Sequence, residues 1–178
     1  MSHPATTKPT ILLVHGSYHP PKLYAPLTNG LKARGFEVHC PFLPTSDPNF
    51  LVADPSNPSF DQPPPPAGLP TQPQDVEVLS GELERLIDDE GKDVLMLVYS
   101  SAGWSASEAA VPRYQREQRV KEGKKDGVIG MFYFAAYLPW LGQDITELFM
   151  ESMERSDLSN TWVDFVVRVR AMPPWREC

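Results

Sequence analysis

Between Asp93 and Tyr99 the chain runs Val-Leu-Met-Leu-Val with no polar position. A strand that is apolar on both faces has to be covered from both sides, which is the situation of a central strand in a parallel sheet layered by helices. Tyr99 is followed by Ser100-Ser101-Ala102-Gly103 and then by a run of mostly small residues to Ala110. That places a serine turn between the most apolar strand and a helix from about Trp104 to Ala110.

Earlier in the chain, Thr10-Ile-Leu-Leu-Val14 is a second continuous apolar run, closed by His15-Gly16, and it too suits a strand buried on both faces. Leu23, Leu27 and Leu31 recur at helical spacing, and Gly35 is a C-terminal stop, so residues 23–34 are expected to be a helix. Phe36 to Cys40 reads as the next strand, ended by Pro41. Strand, helix, strand in about thirty residues is a βαβ unit with a right-handed parallel crossover. Eleven of the twenty prolines lie between Pro41 and Pro73, so residues 41–74 are expected to be a solvated loop insertion that is neither helix nor central strand.

Asp75 to Glu90 has a helical face of Val76, Leu79, Leu83, Leu86 and Ile87, with Gly91 as terminator. Arg113 to Asp126 is dense in charge and reads as a solvated helix end and loop. Residues 128–136 are a fourth strand. Gln143 to Arg155 again has helical spacing, and Thr161 to Ala171 fits either helix or strand. The fold class is therefore α/β, a mostly parallel sheet flanked by helices, with residues 1–178 forming one domain.

Composition excludes several functions. A net charge of −7 argues against binding nucleic-acid phosphates. Two cysteines, Cys40 and Cys178, make neither a disulfide framework nor a zinc site, and a reduced, cytoplasmic compartment is expected. Residues 1–10 have no apolar core of a signal peptide, and no run reaches the roughly 18 apolar residues of a membrane span. A metal reading of His15 and His19 lacks a third ligand. The four histidines, His3, His15, His19 and His39, all precede residue 40.

A strand, a serine between small residues, and a helix make a nucleophile elbow, the G-x-S-x-G turn in which small flanks keep the strained backbone from colliding with itself. Two registers fit. With Ser100 as nucleophile the flanks are Val98 and Ala102; with Ser101 they are Tyr99 and Gly103. The loop His15-Gly16-Ser17-Tyr18-His19 follows the first strand, where a backbone amide would complete an oxyanion hole. For Ser100 the two donors would be the amides of Ser17 and Ser101, each contributing roughly 3 kcal/mol to an oxyanion.

Pro9 to His19 with its strand-H-G-x-x-H pattern, Leu43-Pro44, Asp93 to Ser100, and Tyr133-Phe-Ala-Ala-Tyr-Leu-Pro-x-x-Gly-Gln143 together resemble the α/β-hydrolase fold family, AB hydrolase-1 type. The likeness is to fungal and bacterial members near the plant esterase and hydroxynitrile lyase group, and it covers about residues 9 to 150. Matching Asp93 and Glu108 to the family pattern puts its nucleophile on Ser100. Tyr99 stands where the family commonly has histidine, and Ala102 where it has the first glycine after the nucleophile.

The resemblance implies a serine hydrolase of the esterase type, acting on a small carboxylic ester or related acyl substrate without a cofactor. It assigns Ser17 and Ser101 to the oxyanion hole, and His15, Gly16, Tyr18 and His19 to the substrate pocket. Family members continue through a lid to an acid and a histidine in the order Ser, Asp, His, and no histidine follows Ser100 here. Residues 143–178 accordingly read as a lid-like or aberrant segment of an incomplete, truncated domain. The alternative is a catalytically inactive hydrolase-like module that binds a small ligand or a protein, with the proline-rich loop as a contact. A four-stranded sheet of this kind is also expected to expose an edge and an apolar helix face, favouring low stability or association. The residues name no protein partner.

Overall fold

The computed structural model describes residues 8–57, 61–62 and 64–138. All lie within the first of the two units into which the chain divides, Met1–Leu138. The expectations for residues 139–178, the lid-like segment among them, fall outside the described residues.

Four strands, β1 (Thr10–Val14), β2 (Val38–His39), β3 (Asp93–Tyr99) and β4 (Gly127–Phe134), form one sheet in the order β2-β1-β3-β4. Every pairing is parallel. The chain is thus an α/β fold with a parallel sheet flanked by helices, and the apolar run at Asp93–Tyr99 is an inner strand, between β1 and β4. Strand β2 is only two residues long because its register with β1 covers Ile11↔Val38 and Leu12↔His39 before Pro41, which has no ladder donor, is reached.

The connection after β1 runs to β2 on one side of the sheet, and the connection after β3 runs to β4 on the other. The gap between the carboxyl ends of β1 and β3 is therefore the topological switch point, where ligands bind in open α/β sheets. Right-handed crossovers put helix α1 (Ala25–Ala33) on one face and α3 (Gln72–Glu84) and α4 (Ala102–Ala109) on the other. The core lies on the second face. There Leu12 and Val14 of β1 and Val94, Met96 and Val98 of β3 pack with Leu79, Leu83, Leu86 and Ile87 and with Ala102, Ala106 and Ala109. On the first face β3 presents Leu95, Leu97 and Tyr99, which are half-buried, beside Ile129 and Phe132 of β4, which are exposed. Helix α1 has no fully buried residue, and Leu23 and Leu27 of the expected apolar stripe are exposed.

Several expectations need correction. The proline-rich segment contains a 3-10 turn at Pro44–Ser46 and a one-turn helix α2 (Pro48–Leu51), each with proline in the first turn, where a missing N–H goes unused. Helix α3 starts at Gln72, inside that segment. Thr71 N–H donates to Gln74 Oε1 at 2.7 Å and so caps it. The helix then closes through a π-helical turn, Arg85–Asp89, which keeps both Leu86 and Ile87 buried before Gly91. Residues 113–126 are not all solvated. They contain a 3-10 turn, Pro112–Tyr114, and helix α5 (Arg116–Lys121), whose Arg119 is buried and pairs with Asp88 at 2.7 Å and Asp126 at 3.2 Å. Among the described residues, no helix is long and apolar enough to cross a membrane.

Candidate functional site at the carboxyl edge of the sheet

Ser100 follows β3 directly and has φ of 56°, a left-handed conformation that costs a non-glycine residue about 1–2 kcal/mol. Ser101 has helical angles, φ −59° and ψ −23°, and immediately precedes α4 without a side-chain cap bond. The strained residue at the strand-to-helix turn is therefore Ser100. Hydrogen bonds from the chain after β4 hold the turn: Ser100 N–H donates to Ala135 O at 3.1 Å, and Tyr137 N–H donates to Ser100 O at 3.0 Å. A Cβ on Gly103 would stand 1.8 Å from the Tyr137 carbonyl oxygen. Gly103 is required by that close backbone approach, a reason that local crowding within the serine turn did not reveal.

The loop after β1 meets this turn from the other side. Gly16 is buried, and a Cβ built on it would lie 2.8 Å from Ser100 Cβ and 3.3 Å from Ser100 Oγ. A turn closed by His19 N–H to Gly16 O at 3.3 Å presents Ser17 and Tyr18, and Tyr18 has φ of 62° with its side chain exposed. The Ser17 amide donates to Ser101 Oγ at 2.8 Å, and Ser17 Oγ lies 2.8 Å from the same atom. Both serines named for an oxyanion hole are thus brought together with Ser100. The Ser17 N–H, however, points at the Ser101 hydroxyl.

His15 is a buried strut beneath the loop. Its ring is buried, with Nε2 at 3.3 Å from the Leu43 amide and 3.1 Å from Pro41 O, and Nδ1 at 3.1 Å from Gly16 O. The Leu43 N–H needs a lone pair on Nε2, which assigns the proton to Nδ1, donating to Gly16 O. Burial lowers the pKa of His15, so the ring is held neutral with its basic nitrogen already used. His19 lies closer to the serine turn. Its ring stacks on Tyr99 at 6.0 Å, and its Nδ1 is 3.0 Å from the Tyr24 hydroxyl. Tyr24 in turn accepts from Gly16 N–H at 3.4 Å, and burial raises the pKa of its phenol.

Three further residues support the loop, and sequence reasoning did not single them out for it. Ser46 is buried and donates from Oγ to Gly16 O at 3.2 Å. Its neighbour Thr45 donates from N–H and Oγ1 to the two oxygens of Asp75, at 3.0 and 2.6 Å. Burial raises the pKa of Asp75, against the opposing effect of the two bonds from Thr45. An acid in the first turn of a helix is the only sequence signal that Asp75 carries, and it signals a capping charge. That the carboxylate reaches a loop thirty residues earlier is a tertiary fact.

Other polar groups lie elsewhere. His39 bonds Glu37 at 2.8 Å and faces Arg85 at the amino-terminal side of the sheet. Burial pushes the Cys40 thiol up to about 11, which keeps it protonated and inert. A charged cleft of about 880 Å³ opens at the amino-terminal edge, with Glu37, Lys92, Asp93, Arg119 and Asp126 in its walls. Most of these charges are paired among themselves or with Arg116 and Asp88, so the cleft is a network of ion pairs at the end of the sheet opposite Ser100. Among the described residues no three His, Cys, Asp or Glu side chains stand together to hold a metal ion.

What the carboxyl edge assembles is a strained serine, a loop packed against it without an intervening side chain, and a Ser17 amide bonded to the Ser101 hydroxyl. No protein-family model and no curated protein matches the chain.

Proposed function

We propose that the chain is a serine hydrolase of the esterase type, on the pattern of the α/β-hydrolase fold, with Ser100 as nucleophile toward a small carboxylic ester or related acyl group. The observation that carries this reading is the left-handed φ of Ser100 at the turn between an inner parallel strand and a helix, at the switch point of the sheet. Bare Gly16 beside Ser100 supports it, because a missing side chain lets the loop that carries Ser17 pack directly against the serine turn.

In this reaction Ser100 Oγ adds to the acyl carbon, and the carbonyl oxygen takes up the negative charge. This reading assigns the stabilisation of that charge to the amides of Ser101 and Ser17. The alcohol leaves, and water then releases the acid from the serine ester. Addition requires an acceptor for the serine proton. Among the described residues, no imidazole or carboxylate is hydrogen-bonded to Ser100 Oγ, and this favours a second reading, a hydrolase-like module that binds an acyl ligand without turning it over.

An alkyl fluorophosphonate probe separates the two. The esterase reading expects a phosphonyl adduct on the peptide carrying Ser100, retained in Ser101→Ala and abolished in Ser100→Ala. Folded protein that takes up no probe would establish the binding module instead.

A further inference from the structure

Ser101 is the residue next to the proposed nucleophile, and its side chain does something that its backbone role does not require. Ser101 Oγ accepts the Ser17 N–H at 2.8 Å and shares a proton with Ser17 Oγ at 2.8 Å. These bonds join positions 84 residues apart and tie the loop after β1 to the start of α4. An amide has one proton. While it serves the Ser101 hydroxyl it does not serve an oxygen bound at Ser100.

Ser101 Oγ is carried on a single rotatable bond, and the helical backbone at Ser101 does not have to move for that bond to turn. We infer that the Ser101 hydroxyl is a latch on the oxyanion position, an internal acceptor that the reacting oxygen must displace from the Ser17 amide. The inference rests on the esterase reading of the site. A neutral ester carbonyl competes poorly with a hydroxyl for an amide proton, whereas an oxyanion forms a charge-assisted bond roughly twice as strong. The latch therefore yields to the tetrahedral state more readily than to bound substrate. It sets the rate at which acyl groups are accepted and disfavours ligands that only present a neutral carbonyl.

The second-order rate of phosphonylation tests this on the full chain. In that reaction the Ser100 Oγ–P bond forms as the P–F bond breaks, fluoride leaves and the serine proton passes to solvent. Ser101→Ala removes the latch and keeps the residue 101 amide, and it is expected to label about tenfold faster, the equivalent of one net hydrogen bond no longer displaced. Ser17→Ala keeps the Ser17 position's amide and removes one of the two latch bonds, so it is expected to give a smaller gain. In both variants the residue 17 amide proton resonance should shift upfield. Equal labelling at Ser100 in all three proteins would overturn the latch and leave the esterase intact. Slower labelling in Ser101→Ala would also overturn it, and would make the hydroxyl an oxyanion donor. No labelling of any folded form would remove the esterase reading and the latch together.

Discussion

Gly16 and Ser100 touch backbone to side chain across the switch point, and the space between them holds no more than a hydrogen: a Cβ on Gly16 would be 2.8 Å from Ser100 Cβ. The first loop of the sheet and the serine turn are therefore positioned by direct contact, and a change in either displaces the other.

Gly16→Ala is expected to push the loop after β1 away from Ser100. Overpacking of this kind costs about 1–3 kcal/mol. Because Ser17 follows immediately, phosphonylation of Ser100 should fall at least tenfold while the fold persists. Denaturant unfolding and probe labelling measure the two effects separately, and unchanged labelling would show that the loop does not set the site.

Gly103→Ala should be worse for folding than for chemistry. Its methyl would meet the Tyr137 carbonyl at 1.8 Å, and the obstacle is backbone, which cannot turn aside as a side chain can. A loss of about 3 kcal/mol or more is expected, read as a lowered unfolding midpoint or as insoluble protein.

Asp75→Ala leaves the Thr45 N–H and hydroxyl without their acceptor beneath the loop that carries Ser46. Destabilisation of about 1–3 kcal/mol is expected, with weaker labelling of Ser100 because Ser46 no longer holds Gly16 O in place. The wild-type carboxyl has a pKa raised by burial, so the folded state holds its proton to higher pH than the unfolded state does. Its contribution to stability is full below the unfolded value of 3.8 and declines as pH rises through the folded value. Asp75→Asn should remove this component from a stability-versus-pH curve. A curve that keeps it would place the titration elsewhere.

Glu37 behaves in the opposite sense. The Lys92 ammonium and then His39 hold its carboxyl at about 2, against an ordinary value of 4.5. Its contribution is present above pH 4.5 and is lost as pH falls through about 2. The side chain is 46% exposed, so solvent screening keeps the effect below about 1 kcal/mol. Thermal melts between pH 2 and pH 6 should show a shallower acid loss in Glu37→Gln than in the wild type.

The α/β layering was legible because it depends on local chemistry. Two uninterrupted apolar runs need cover on both faces, Leu79, Leu83, Leu86 and Ile87 share one helical face, and Gly35 and Gly91 stop helices at positive φ. The charged stretch 113–126 misled because charge suggests solvent. Arg119 is buried there only because Asp88, from the turn after α3, and Asp126, before β4, arrive beside it. Proline at positions 44 and 48 argued against helix, yet at the first turn it removes a donor that has no partner anyway.

Of the candidate site, the sequence by itself determined that a serine turn would end an inner strand and that a glycine loop would end another, and parallel strands carry their following loops to the same edge. That β1 and β3 are neighbours, which brings Ser17 to Ser101, was decided by the sheet. Which serine takes the strained conformation was decided by the chain after β4, whose Ala135 and Tyr137 bond the Ser100 backbone. That His15 is a strut was decided by the Pro41 to Leu43 segment folding over it. The Ser101 hydroxyl came to rest on the Ser17 amide for the same reason: hydrogen-bond partners distant in sequence meet only when the sheet has set the distance between them.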